Sequence, residues 1–244
     1  MQRYFIQLAY NGTPFNGWQI QPDAPTVQQE LEKALSTVLR EKTAIVGCGR
    51  TDSGVHASEF FAHFETDNSV DCESLMFKLN CMVSKEIAVK SVYPVSGDLH
   101  ARFSAIARTY HYEINQIKDA FCFDQSWFMH SPLNIELMNE ACTHLLGRQD
   151  FTSFSKLHTQ TKTNLCTITE AHWVKDGYRL TFTITADRFL HNMVRAIVGT
   201  CIEVGRGKLT PSGFKEVIAA KSRQKAGASV PGHGLFLAKV VYPD

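Results

Sequence analysis

Two hydrophobic periods alternate along the first hundred residues, and their order constrains the fold more than any other feature. Tyr4, Ile6, Leu8 and Tyr10 recur at every second position with Arg3 and Gln7 between them, the period of a strand with one buried face. Val27, Leu31, Ala34, Leu35, Val38 and Leu39 then recur at helical spacing. They stand behind Pro25 and a Thr26/Gln29 pair with the form of a capping box, so residues 26–40 are predicted to be an amphipathic helix. Short apolar runs at Ala44–Val46 and Phe60–Phe64, a helix near 71–80 and a strand near 86–93 complete the order β-α-β-β-α-β of a ferredoxin-like unit.

The pattern restarts after residue 105. Arg108–Ile114 reads as a strand and 134–146 as a helix, with Ile135, Met138, Ala141, Cys142 and Leu145 in register. Segments 167–174 and 178–186 form a hairpin through Asp176-Gly177, helices follow at 190–204 and 211–220, and 235–242 closes as a strand. The expected fold class is α+β in two halves, 1–105 and 106–244, with no Ser/Gly-rich linker between them. The polar stretch 155–166 reads as the least ordered segment.

The chain has 244 residues, 44% apolar and 20% charged, which suits a globular protein and excludes a disordered chain. No apolar run reaches the roughly 18 to 20 residues a membrane helix needs, and MQRYFIQLAY lacks the form of a secretory leader. A cytoplasmic protein without membrane attachment is expected. The seven cysteines are odd in number and form no CxxC pair, so neither a zinc ribbon nor a disulfide framework is indicated. Net charge is +1, but eight basic and two acidic residues between Arg188 and Lys225 concentrate a charge of +6 in one stretch. Such a stretch fits a polyanion and fits a solvated helical face equally well.

Chemistry concentrates in Gly47-Cys48-Gly49-Arg50-Thr51-Asp52-Ser53-Gly54-Val55-His56-Ala57. Glycines permit tight turns and close backbone approach, and an arginine, a carboxylate, two hydroxyls and a histidine lie between them. Asp52 breaks a dinucleotide-binding glycine pattern, and no phosphate-binding P-loop or zinc-protease motif is present. Asp52-Ser53-Gly54 matches the triplet of aspartic proteases, whose chemistry needs two carboxylates and hence a dimer around this single triplet. An aspartate that only satisfies the backbone of a turn fits the loop in isolation as well.

Two further segments stand out. Arg108, Tyr110, Tyr112 and Ile114 share one strand face, where aromatic rings either fill a core or form a platform for nucleic-acid bases. In Arg188–Gly199, Leu190, Met193, Val194, Ile197 and Cys201 mark a buried helical stripe. Arg188 and Arg195 then lie on one side of that helix with His191 near them. Arg195 sits at the margin of the stripe, where a half-buried guanidinium seeks a carboxylate or phosphate, or snorkels to solvent.

In order along the chain, Tyr10-Asn11-Gly12-Thr13, Gly17-Trp18-Gln19, Gly49–Ala57, Leu79-Asn80, Ala101-Arg102-Phe103, Arg108–Tyr112, Gly147–Phe151, Phe189–Gly199 and Gly234–Leu237 together resemble the tRNA pseudouridine synthase A family. The likeness spans nearly the whole chain. Departures fall at Met82-Val83, where Leu-Pro is usual, at Asn164-Leu165-Cys166, where an arginine is common, and at Val230-Pro231, where Ala-Pro is common.

The resemblance implies isomerisation of uridine to pseudouridine at positions 38 to 40 in the anticodon arm of tRNA, with no cofactor and no metal. It implies two ferredoxin-like halves with joined antiparallel sheets and a central active cleft, acting as a homodimer. Asp52 is the family's essential aspartate, ionised beside a guanidinium, and Arg195 matches the family's arginine there. Tyr110 matches the tyrosine that stacks on the target base. Arg50 is expected to steady the flipped nucleotide, with Arg188, His56 and His191 as supporting candidates. A silent RNA-binding module on the same fold and a dimeric aspartic protease-like enzyme are the competing readings.

Overall fold

The computed structural model describes residues 1–156 and 163–243, so the middle of the polar 155–166 stretch lies outside the described residues. Two compact units are formed, Met1–Ile106 with Phe236–Asp244, and Ala107–Leu235. The first begins β1 (Gln2–Tyr10), α1 (Val27–Leu39), β2 (Val46–Gly47), β3 (His56–Thr66), α2 (Cys72–Met82) and β4 (Ile87–Val95). The second holds β5 (Ala107–Asn115), β6 (Trp127–Phe128), α3 (Ile135–Thr143), β7 (Gly147–Asp150), β8 (Leu165–Asp176), β9 (Arg179–Ala186), α4 (Met193–Gly205) and α5 (Pro211–Ala219). The closing strand, β10 (Leu235–Val241), supplies the last residues of the first unit.

In the first unit β1 is central, antiparallel to β4 on one side and to β3 on the other. Its apolar alternation is realised, with Ile6 and Leu8 fully buried. Helix α1 starts where the capping signal placed it, since the Thr26 hydroxyl accepts from the Gln29 N–H at 3.3 Å. It buries Val27, Leu31, Ala34 and Leu35, and each fully buried leucine contributes about 2 kcal/mol. The far edge of β3 is shared between two strands. Val46–Gly47 pairs antiparallel with Ala62 and His63, whereas Phe236 and Leu237 pair in parallel with His56 and Ala57. The all-antiparallel expectation is corrected here and at β5–β6, which is also parallel. The cause at β3 is brevity: a two-residue β2 leaves the rest of that edge unpaired.

In the second unit the pairing order is β5-β9-β8-β7, antiparallel throughout, with the Gly177 turn (φ +56°) closing the β8–β9 hairpin. Helix α3 is capped by Asn134, which accepts from the Leu137 N–H at 3.0 Å, and α5 by Thr210, which accepts from the Gly213 N–H at 3.0 Å. Helix α4 is the core helix: Met193, Val194, Ile197, Cys201, Ile202 and Val204 are buried along it. No helix of the described residues is long and apolar enough to cross a membrane.

Candidate active site

The Asp52 loop leaves β2 at Gly47 and enters β3 at His56. Its glycines are used. Gly54 takes φ +74°, and the Val55 N–H closes a turn onto the Asp52 carbonyl at 3.1 Å. The loop rests against the Asn11–Trp18 segment. Trp18 N–H donates to the Thr51 carbonyl at 3.3 Å, Gly54 N–H to the Phe15 carbonyl at 3.2 Å, and the Ser53 hydroxyl to Asn16 Oδ1 at 3.3 Å. Gly17 sits at φ +85°, where a Cβ would fall 2.2 Å from the Thr51 carbonyl oxygen. Trp18 in turn stacks on Phe60 at 4.1 Å. Two polar loops without regular structure are thereby locked to the sheet, with Asp52 half-buried and Arg50 exposed.

His56 does not join them at the surface. It is 1% exposed, its Nδ1 accepts from the Gly12 N–H at 3.0 Å, and its ring stacks on Phe236 at 4.5 Å. A ring so enclosed is not placed to touch RNA.

In the second unit, the β5 face that carries both tyrosines is covered unevenly along its length. Tyr112 is fully buried and donates its hydroxyl to the Pro231 carbonyl at 2.9 Å, and burial holds its phenol well above the usual tyrosine range. Tyr110, two residues earlier, is half-buried and meets Phe189 edge-on at 5.0 Å and 86°. Of the two rings, only Tyr110 keeps part of its surface in solvent.

The helix expected from residue 190 begins at Met193. Asn192 adopts φ +65° and donates to the Ser229 hydroxyl at 2.6 Å, so the chain turns before it coils. Arg188 therefore precedes the helix, held by its N–H on Asp187 Oδ1 at 2.7 Å, and does not share a helical face with Arg195. His191 is exposed in the same turn, its carbonyl accepting from the Lys156 N–H at 3.0 Å.

Arg195 lies on α4, half-buried, and its Nε donates to the Val230 carbonyl at 2.7 Å. The Val230 segment is itself anchored to α4. A Cβ at Gly199 would fall 1.8 Å from the Ala228 carbonyl oxygen, and Gly227 N–H donates to the Thr200 hydroxyl at 2.9 Å. Arg223 secures the segment from outside, donating to the Gly227 carbonyl at 3.0 Å and the Ser229 hydroxyl at 2.9 Å. The one sequence signal for this strap is a glycine inside an apolar helix, Gly199. Arg223, one of the eight basic residues between Arg188 and Lys225, is thus tied to the fold. Lys221 pairs with Asp150 at 3.2 Å, and Arg206 and Lys208 with Glu203 at 3.7 and 3.6 Å. Much of the +6 stretch is thus engaged within the protein.

Within the first unit the fold gathers Arg50, Asp52 and His56 on one loop; within the second it gathers Tyr110, Arg188, His191 and Arg195 around β5 and the start of α4. Among the described residues, no group of three or more His, Cys, Asp or Glu side chains is arranged to hold a metal ion.

Comparison with known proteins places the chain. A family model described as tRNA pseudouridine synthase matches residues 141–243. Over its full length the chain is 54% identical to the tRNA pseudouridine synthase A of Parabacteroides distasonis, covering 97% of that protein. It is 51% identical to that of Bacteroides fragilis, covering 98%. With the Bacillus subtilis protein of the same name it shares 41% identity across 97% of this chain and 98% of the relative. Likeness at this level, running from end to end, sets the protease reading of Asp52-Ser53-Gly54 aside: the chain belongs to the tRNA pseudouridine synthase A family.

Proposed function

We propose that this protein is an isomerase that converts uridine to pseudouridine in tRNA, at positions 38, 39 or 40 of the anticodon stem-loop. One observation carries the reading: a loop built to hold a single aspartate, Asp52, in a chain more than half identical over its whole length to a protein named for this reaction. The reaction exchanges one bond for another. The C1′–N1 bond breaks, the uracil turns, a C5–C1′ bond forms, the C5 proton leaves and N1 gains one. No redox partner or leaving group enters the balance. A carboxylate suits it by attacking C1′ or C6, or by stabilising a glycal-like sugar intermediate.

The remaining roles follow from chemistry. Tyr110 offers a partly exposed ring to the target base, and Phe189 supports it edge-on. Arg195 supplies a guanidinium anchored through Nε on the Val230 carbonyl, with its remaining N–H groups suited to a phosphate. Arg50, exposed on the Asp52 loop, steadies the nucleotide once it leaves the stack, a step that costs a few kcal/mol. Arg188 and the exposed His191 carry the chemistry for phosphate contact. We further propose a homodimer acting in the cytoplasm without a cofactor.

The test is tRNA-dependent release of tritium from C5-labelled uridine, with chelator and no added cofactor, and the modified position mapped by carbodiimide primer extension. Release with stops in the anticodon arm is the expected result. No release by folded protein from several tRNAs carrying uridine at those positions overturns the reading in favour of a silent RNA-binding module.

A further inference from the structure

The last residue of β1 and the turn just after it reach both flanks of Asp52. At one side the Tyr10 hydroxyl lies 2.9 Å from the Thr51 hydroxyl, and both residues are buried. At the other the Gly12 N–H donates to His56 Nδ1 at 3.0 Å. These two bonds bracket the aspartate, one on the residue before it and one four residues after. The backbones close up at the same place, since a Cβ at Gly12 would stand 2.0 Å from the Val55 carbonyl oxygen. A nitrogen that accepts a hydrogen bond carries no proton, so His56 sits in its neutral form with the proton on Nε2. Its face is covered by Phe236 and its exposure is 1%, which leaves it no route to substrate. Tyr10 is similarly enclosed, packed against Phe60 at 5.5 Å and Trp18 at 6.3 Å.

We propose that Tyr10 and His56 are positioning residues for the Asp52 carboxylate, a clamp through which the end of β1 fixes the loop from both flanks. The inference rests on Asp52 being the reacting group. Its physical reason is that a loop with glycines at 47, 49 and 54 has little stiffness of its own. Misplacing a reacting group by about 1 Å costs on the order of a hundredfold in rate.

The discriminating variants are His56→Asn and His56→Gln. Both lose the ring and its stacking on Phe236. Asparagine puts its amide where Nδ1 stood and can accept from Gly12; glutamine puts its amide where Nε2 stood and cannot. Turnover and tRNA binding are measured for the parent protein, Tyr10→Phe, His56→Asn, His56→Gln and His56→Ala, with thermal melts beside them. The clamp predicts that His56→Gln and His56→Ala lose kcat by about a hundredfold with tRNA affinity within threefold of the parent. His56→Asn should recover to within about fivefold of the parent, and Tyr10→Phe should lose about tenfold in kcat alone.

Equal losses in His56→Asn and His56→Gln would reduce His56 to packing and overturn the clamp, as would a loss that appears in tRNA affinity alone. Where the His56 variants fail to fold, Tyr10→Phe decides, because it removes one oxygen from an intact core; parental kcat there overturns the proposal. Absence of turnover in the parent protein overturns the proposed function itself and is read separately from any variant.

Discussion

The guanidinium of Arg195 and the backbone of Val230 hold each other: Nε donates to the Val230 carbonyl at 2.7 Å, and the Val230 N–H returns to the Arg195 carbonyl at 3.3 Å. These bonds involve only the main chain of Val230, so a change of side chain at that position leaves them intact. The arrangement also separates arginine from lysine. A lysine at 195 has one nitrogen and cannot both anchor on Val230 and direct a planar fork elsewhere. Arg195→Lys is expected to lose at least about tenfold in kcat/KM, nearly as much as Arg195→Ala, with the melting temperature of the lysine variant close to the parent. Steady-state kinetics on a tRNA transcript check it.

Asp52→Asn keeps the size and most hydrogen-bonding capacity of the side chain and removes its charge. Turnover is expected to fall on the order of 10⁴-fold or more, while tRNA affinity stays within a few-fold. Filter binding alongside tritium release separates the two. Product formation at a parental rate would remove Asp52 from the reaction.

Acid stability follows from a buried histidine in the first unit. His63 Nδ1 accepts from the Ala101 N–H at 3.1 Å, and burial, with His100 and Arg3 nearby, lowers its pKa to about 4. His100 is lowered too, mainly by burial, and its Nδ1 accepts from the N–H groups of Arg102 and Phe103. The folded protein keeps these rings neutral while the unfolded chain protonates them near pH 6.5, so the unfolded state binds more protons between the two values. Stability is complete above about pH 6.5 and declines as pH falls toward 4, by at most about 3 kcal/mol from His63. Melting temperatures from pH 7.5 to 4.5 should show this slope, and His63→Asn, which retains an acceptor but no titratable ring, should flatten it.

The basic stretch divides into cations that hold the fold and cations that face solvent. Lys215 and Lys225 are exposed, whereas Arg223 ties down the strap beside α4. Reversing Lys215 and Lys225 together should reduce the slope of log K against log salt for tRNA binding by about 2 if each meets one phosphate. Arg223→Glu should instead lower the melting temperature. Titrations from 50 to 300 mM salt, with melts of the same variants, distinguish them; an unchanged slope would mean that α5 and the turn at Arg223–Lys225 face away from RNA.

Residues with a local cause were legible in the sequence. The alternation of β1, the Thr26 cap, the Asp176-Gly177 hairpin and the apolar stripe of α4 each follow from spacing or from one turn residue, and each stands where it was expected. What escaped depends on partners far along the chain. The start of α4 moved because Asn192 bonds Ser229, the strap of 226–230 is visible only once α4 lies beneath it, and the place of Arg223 depends on that strap. Tyr110 and Tyr112 were indistinguishable by period, and only the packed structure shows which of the two rings is enclosed. His56 is a supporting candidate in the sequence, and its enclosure depends on what Phe236 covers.

The parallel pairing of Phe236 and Leu237 with His56 and Ala57 has a bearing on how the protein is made. Chains leave the ribosome from their N-terminus, and domains generally fold in that order. Here the first unit is finished by β10, which is made only after the whole second unit. While translation proceeds, the edge of β3 next to the aspartate loop stays open and His56 lacks its stacking ring. The loop reaches its final rigidity only when β10 has emerged, so a product cut short before Leu235 keeps the aspartate without its finished support.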